Sequence, residues 1–148
     1  MTDAFLVLNG GSSSLKFAVF EEQGDLPLLL RGSVSSLARN PRLRTVATAA
    51  AAAVDKSLGD GPIAIADAFS AVASLLADRN LLGRIGKIGH RIVHGGQAFT
   101  AAALLDAGTL AALHGLEPLA PIHQAINLEI VKLAAELLPH AVQVGCFD

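Results

Sequence analysis

The sequence is short of cysteine, of any surplus of one charge and of long apolar runs, and each shortage removes a class of protein. One cysteine, Cys146, among 148 residues leaves no internal disulfide to form, which fits a reducing, cytoplasmic setting. Eleven Lys and Arg stand against thirteen Asp and Glu, a net charge of −2. The pI is near 6.2, and the basic stripe of a nucleic-acid or anionic-membrane binder is missing. Mean hydropathy is high at +0.52, but much of it comes from alanine, as in Ala49–Ala53. No run approaches the roughly 18–20 apolar residues that span a bilayer. Met1–Asp3 is acidic and lacks the charged region of a signal peptide. Neither nucleic acid nor a membrane is therefore expected as a partner. With 52% hydrophobic residues, a chain of this length fits one domain that buries roughly 70% of its unfolded surface.

What is present reads as an α/β domain. Phe5–Leu8 is wholly apolar, as in a strand covered on both faces. Asn9–Ser14 (NGGSSS) is dense in turn formers, and Leu15–Phe20 resumes as a second strand, so the two make a long hairpin. Leu26–Val34 follows a turn at Gln23–Asp25 and completes a three-stranded antiparallel meander. Arg39, Arg42 and Arg44, around Asn40–Pro41, read as a solvated loop. Thr45–Val54 is ambiguous between helix and strand, and residues 59–62 break the chain. Ile65, Phe69, Val72, Leu75 and Leu76 have the spacing of an amphipathic helix over Ile63–Asp78. Gly86–Val93 reads as a strand, Leu104–Leu113 and Ile122–Leu138 as helices, and Ala141–Phe147 as a last strand. Because the chain stops at Asp148 directly after a strand expected to be central, it reads as cut.

Three segments could carry chemistry. In the hairpin, Gly10 and Gly11 allow positive φ and close approach of a ligand, and consecutive N–H groups there could form an anion nest. Ser12, Ser13, Ser14, Asn9 and Lys16 would complete a phosphate cradle; equally, Gly, Ser and Asn are what turns contain. The segment is not a P-loop, since a strand follows and the second glycine is missing. Ser13 and Lys16 match S-x-x-K, but in a strand two residues three apart face opposite ways. In GHRIVHGG, His90 and His94 have zinc-helix spacing, yet no Glu base lies between them and the segment is β-branched. As a strand it places Arg91 and Val93 on one face and His90, Ile92 and His94 on the other. An Arg in an otherwise apolar strand must meet an anion, either a carboxylate or phosphate ligand or a structural Asp or Glu. In LAPIHQAIN, His123 follows a proline at a helix start, where it could donate to an anion or merely cap.

Taken together, LNGGSSSLKF, GHRIVHGG and LAPIHQAIN, with FD at 147–148, resemble the signature segments of the acetate kinases and their propionate kinase relatives. Order and spacing match across the whole chain. The resemblance implies a ribonuclease H-like domain of the actin- and hexokinase-like ATPase superfamily, with the meander followed by α/β units and truncated after a strand. It implies reversible transfer of the ATP γ-phosphoryl group to acetate with Mg²⁺, in a homodimer. Asn9 would help hold Mg²⁺ and the phosphates, while Gly11, Ser12, Ser14 and Lys16 would line the phosphate loop. Arg91 would bind the substrate carboxylate and the phosphoryl group in flight. Val93 and Ile122 would line a pocket for the acyl methyl, His123 would sit near the anion, and Asp148 would be the catalytic acidic residue. Acetate has no proton to lose at neutral pH. Asp148 is therefore expected to orient Arg91 or a metal-bound water rather than to act as a general base.

The sequence departs from the family at His123-Gln124-Ala125, where HNP is usual, and this puts the local helix entry in question. It departs also in length, since family members run to more than twice this size. Their second domain supplies the adenosine contacts, another Arg and His, and a Glu for Mg²⁺. Residues 1–148 thus read as the N-terminal acetate-kinase-type domain, lacking the nucleotide-binding domain and inactive alone. The alternatives are a non-catalytic module that binds phosphate or a partner, and a propionate kinase. A sugar or glycerol kinase of the same superfamily would share the hairpin but not GHRIVHGG.

Overall fold

A computed structural model describes residues 3–148. Met1 and Thr2, which open the acidic N-terminal segment, lie outside the described residues. Strand β1 (Ala4–Gly10) pairs antiparallel with β2 (Leu15–Glu21), and β2 with β3 (Leu28–Ser35). Alternation explains the burial: Leu6, Leu8, Leu15, Phe17, Val19, Leu30 and Val34 point to one side and are at most 3% exposed. The meander runs further than the sequence pattern indicates. β4 (Arg42–Thr45) and β5 (Val54–Ser57) extend it by two antiparallel strands. Arg42 and Arg44 are therefore strand residues and not loop residues. They alternate with buried Leu43 and Thr45, and Asp55 on β5 takes both guanidiniums, at 2.8 and 3.5 Å. The stretch from Thr45 to Val54 is neither helix nor strand between its two ends.

Helix α1 (Ile65–Asp78) then crosses the sheet and delivers β6 (Ile85–Ile92) parallel to β1. Asp67 accepts from the Ala64 N–H at 3.0 Å, which satisfies a free donor at the helix start. At the other end Asn80 takes a left-handed φ of 57°, and the Leu81 N–H returns to the Leu76 carbonyl. The segment after β6 forms the two-residue strand β7 (Ala103–Leu104), then α2 (Ala107–His114). Leu104 thus belongs to a strand, and the helix expected from it starts three residues later, where the Asp106 side chain caps Thr109 N. Helix α3 (Pro121–Leu137) leads into β8 (Val142–Phe147), which lies between β6 and β7. The single sheet has the order β5-β4-β3-β2-β1-β6-β8-β7.

Helices α1 and α3 cover one sheet face. Ile65, Phe69, Val72 and Leu76 of α1 and Ile130 and Ala134 of α3 share a core with the inward residues of β1–β3 and with Ile85 and Ile88 of β6. Ile92, Leu105, Leu113, Leu128 and Val131 form a second cluster under α2. The opposite face is open and carries Val7, Lys16, Arg31, Arg44, Lys87 and Arg91, all exposed. Among the described residues no helix is long and apolar enough to cross a membrane. Leu76 sits at the centre of the helix–sheet interface, 1% exposed. Leu76→Ala is expected to lower the unfolding free energy by about 2–5 kcal/mol, from lost burial and the cavity left behind, read by urea denaturation.

Candidate anion-binding site

The register of the sheet assembles the site. Asn9 on β1 pairs with Lys16 on β2. On the other side β1 and β6 run parallel as far as Leu8 and His90, so the next residue of each strand, Asn9 and Arg91, stand side by side. Arg91 in turn pairs with Cys146 on β8, and Asp148 lies two residues beyond on the same strand line. Four strands thereby deliver a cation, an amide, a cation and a carboxylate to one edge. This edge lies at the carboxyl ends of parallel strands, where open α/β sheets bind their ligands.

Lys16, Asn9 and Arg91 border an open cleft of about 190 Å³, lined by Asn9, Gly10, Gly11, Ser14, Lys16, Arg91, Val93, His123 and Asn127; Asp148 stands behind Arg91 and is not part of the lining. Lys16 and Arg91 thus share one cleft. His123 reaches it from the first turn of α3. A larger depression of about 520 Å³ adjoins it, sharing Asn9 and Lys16 and extending over Phe17, Ala18, Gly32 and Val46. That depression is mainly apolar in surface, with Arg31, Ser33, Arg44 and Thr45 also on its border, whereas the smaller cleft is the one that Arg91 and His123 share with Lys16.

The Arg91 guanidinium meets an acid, but not in the interior. Its Nε donates to Asp148 Oδ1 at 3.0 Å and its Nη2 to Oδ2 at 2.5 Å, a bidentate pair. Nη1 also reaches Asn9 Oδ1 at 3.4 Å. The expectation that the strand's burial would force this pairing is corrected: the Arg91 side chain is 54% exposed and that of Asp148 42%. The reason is the open sheet face, to which every second residue of β6 points. The hydrogen bonds from Arg91 hold the Asp148 carboxyl below its ordinary 3.8, and Asp148 in turn raises Arg91.

Other expected site residues fall elsewhere. Gly10 and Gly11 do not adopt positive φ; among the described glycines only Gly24, Gly59 and Gly96 do. Gly10 is small for another reason: a Cβ there would lie 2.0 Å from Ile130 Cδ1. The Gly11 N–H is taken by the Ser14 carbonyl at 2.9 Å, so that amide is not free for a ligand. Ser14 lines the cleft, whereas Ser12 faces a separate depression beside Leu37, Pro62 and Ile63. Val93 lines the cleft, but Ile122 projects from the start of α3, 64% exposed, and does not.

Two residues that sequence reasoning passed over are among the most buried polar groups here. Gln124 is 0% exposed and Asn127 4%. Gln124 Oε1 accepts from His94 N at 3.3 Å, and its Nε2 donates to the His94 and Leu113 carbonyls. Asn127 Oδ1 accepts from Val93 N and its Nδ2 donates to the Gly10 carbonyl, both at 3.0 Å. The signal was their place on the apolar stripe of α3, in phase with Ile130, Val131 and Ala134. The departure at Gln124 leaves the helix entry intact, since α3 still begins at Pro121. His90, behind Arg91, is 2% exposed. The Gln143 amide donates to the Val131 carbonyl, which turns its oxygen toward His90 Nε2 at 2.5 Å. Burial pushes His90 down from 6.5 to about 4, against the smaller opposing pull of Gln143.

With this geometry in hand, likeness to known proteins becomes informative. The sequence model described as the Acetokinase family matches residues 4–148. The chain belongs to the acetokinase family. It is 41% identical to the acetate kinase of Rhizobium meliloti over 99% of its own length and 37% of that protein's. Solved structures agree. A propionate kinase from Francisella tularensis subsp. tularensis SCHU S4 superimposes with a TM-score of 0.86 at 31% identity. Porphyromonas gingivalis acetate kinase gives 0.84 at 32%. Each comparison covers 99% of this chain and 37% of the solved one. The fold is accordingly the actin-like ATPase type found in these kinases, and the chain spans about 37% of the length of the relatives it matches.

Two titrations follow from the site. A depressed carboxyl contributes stability that is lost as pH falls through its folded value. Arg91→Gln is expected to return the Asp148 midpoint, followed by carboxyl carbon NMR, upward toward 3.8. His90 behaves differently, because the unfolded chain binds its proton more readily than the folded one. Relative to His90→Gln, the unaltered protein should keep its full stability above pH 6.5 and lose it as the pH falls toward about 4. The slope is at most about 1.4 kcal/mol per pH unit, read by denaturation at each pH.

Proposed function

We propose that residues 1–148 form the acyl-substrate and phosphate side of an acetate kinase, completed by a nucleotide-binding domain from further polypeptide. The observation that supports this is the convergence of Lys16, Asn9 and Arg91 on one cleft, with Asp148 holding Arg91 from behind. The reaction is ATP + acetate ⇌ ADP + acetyl phosphate. An acetate oxygen forms a bond to the γ-phosphorus, and the bond from that phosphorus to the ADP oxygen breaks. No proton need be removed from acetate, which is ionised at neutral pH. The obstacle is charge: two anions ~4 Å apart repel by about 4 kcal/mol at an effective dielectric near 20. Lys16 and Arg91 offset that repulsion; with Nε and Nη2 held by Asp148, the Nη1 side of the guanidinium is the one left to meet a carboxylate or phosphoryl oxygen. Val93 lies against the acyl methyl and His123 donates to the anion. Asp148 holds the guanidinium in place and does not act as the base, and Ser14 and Gly11 border the phosphates.

Among the described residues no group of three or more His, Cys, Asp and Glu is arranged to hold a metal. Mg²⁺ needs less from a protein, since one or two oxygens suffice when water and nucleotide phosphates complete its shell. The Asn9 carbonyl is the oxygen that would meet that demand, while both Asp148 oxygens are already held by the Arg91 guanidinium. The ion would neutralise phosphate charge. A cytoplasmic homodimer is the setting that the family reading carries. Propionate is the second substrate reading, supported by the propionate kinase fold match, because one methylene changes pocket affinity by only about 1–3 kcal/mol.

The test is hydroxamate trapping of acetyl phosphate, run on residues 1–148 and on a polypeptide continued to the length of the relatives. The longer form is expected to turn over and the shorter not. Arg91→Ala should cost the longer form about 10²–10³-fold, and Asp148→Asn should cost rate that lowering the pH does not reproduce. No turnover by the longer form, with anion binding retained, would favour a non-catalytic binding module.

A further inference from the structure

We propose that Asn127 is a positioning residue: its carboxamide is a wedge that parts β1 from β6 and sets the span between the hairpin and Arg91. The inference rests on the reading of the cleft as the anion site. Backbone pairing of β1 with β6 stops at Leu8 and His90. Two and three residues further along, the Gly10 carbonyl and the Val93 N–H would be buried without partners if the strands simply diverged. Asn127 supplies both, accepting from Val93 N and donating to Gly10 O at 3.0 Å each. A carboxamide has the donor and acceptor of a peptide group, so it stands in for a rung of the ladder while adding its own width. The cleft opens where this rung is inserted, and Asn127 is part of its wall.

The wedge is itself fixed. Asn127 is 4% exposed on the buried side of α3. Ile130, one turn on, fills the space over Gly10 that any larger residue would need. Gln124, one turn before, makes a comparable set of bonds but to His94 and Leu113, with none to the hairpin. The two amides therefore divide the work: Gln124 ties the end of β6 to α2, and Asn127 ties it to the backbone of the phosphate hairpin, beside the Arg91–Asn9 side-chain contact. Without that link the β1–β6 pairing still runs to Leu8 and His90, but the hairpin beyond it, from Gly10 onward, loses its backbone tie to the end of β6 and is free to shift relative to Arg91.

The 148-residue chain tests this through two measurements on Asn127→Leu and, for comparison, Gln124→Leu. Residual dipolar couplings of the Gly10–Ser14 amides report hairpin orientation relative to β6, and NMR titration with inorganic phosphate reports the site. Asn127→Leu is expected to take the hairpin couplings out of the sheet's alignment frame. It should weaken phosphate binding about ten-fold or more, the effect of losing one charge-assisted hydrogen bond from a hairpin that no longer faces Arg91. Gln124→Leu should lower stability while leaving both readouts within error. Should Asn127→Leu not fold, Asn127→Ser removes both bonds without adding bulk and carries the same expectations. Unchanged hairpin couplings in the Asn127 variant, or equal changes in both variants, overturn the proposal. If the unaltered chain binds no phosphate, the couplings still decide the positioning role, and only the reading of the cleft as an anion site falls.

Discussion

Parallel pairing of β1 with β6 is the constraint on which the site depends. It places Asn9 beside Arg91, while the antiparallel hairpin places Lys16 on the other flank of Asn9. Neither cation could be brought there by local sequence, since 75 positions separate Lys16 from Arg91 in the chain. The long crossover through α1 makes the adjacency, and the core under β1 and β6 holds it. Because the two strands are interior to the sheet, a one-residue shift of register would exchange core and solvent faces along the whole strand. The edge where the charged groups meet is therefore rigid although the groups themselves are exposed.

Exposure decides what the Arg91–Asp148 pair is for. An ion pair in water contributes little to stability, because solvent screens it and two side chains must be immobilised. Its value here is geometric. Asp148 takes two guanidinium nitrogens while Nη1 reaches toward Asn9. On the proposed reading, an arriving anion would meet an arginine already held, with its reorganisation largely complete. The buried groups behind it, His90 with Gln143 and α3 with its two amides, anchor the strand that carries it.

Much of this was legible in the sequence, for physical reasons. Period-two and period-3.6 apolar patterns fixed β1, β2, β6 and α1 closely, and the alternation across GHRIV placed Arg91 and His90 on opposite faces correctly. The short strands β4 and β5 were hidden, because Arg42 and Arg44 alternate with only two buried residues and owe their order to pairing with β3 and Asp55. The hairpin does border the cleft, but Gly10 and Gly11 do not take the positive φ expected of them. Gly10 is needed for the approach of Ile130, a contact between residues 120 apart that no local rule reveals. Ile122 and Ser12 were placed at the cleft by analogy of position, and the turn of α3 and the bend of the hairpin point them away. Gln124 and Asn127 were overlooked because buried amides inside an apolar stripe look like ordinary interruptions until their backbone partners are known.

The central claim is that one cleft gathers the cations of two strands around a single anion. It is tested most directly by following the Lys16 Nζ and Arg91 Nε resonances together while acetyl phosphate is added. The account predicts that both move along one saturation curve with a shared Kd, and that Lys16→Ala weakens the response at Arg91. Movement of one without the other, or two unrelated affinities, would contradict it.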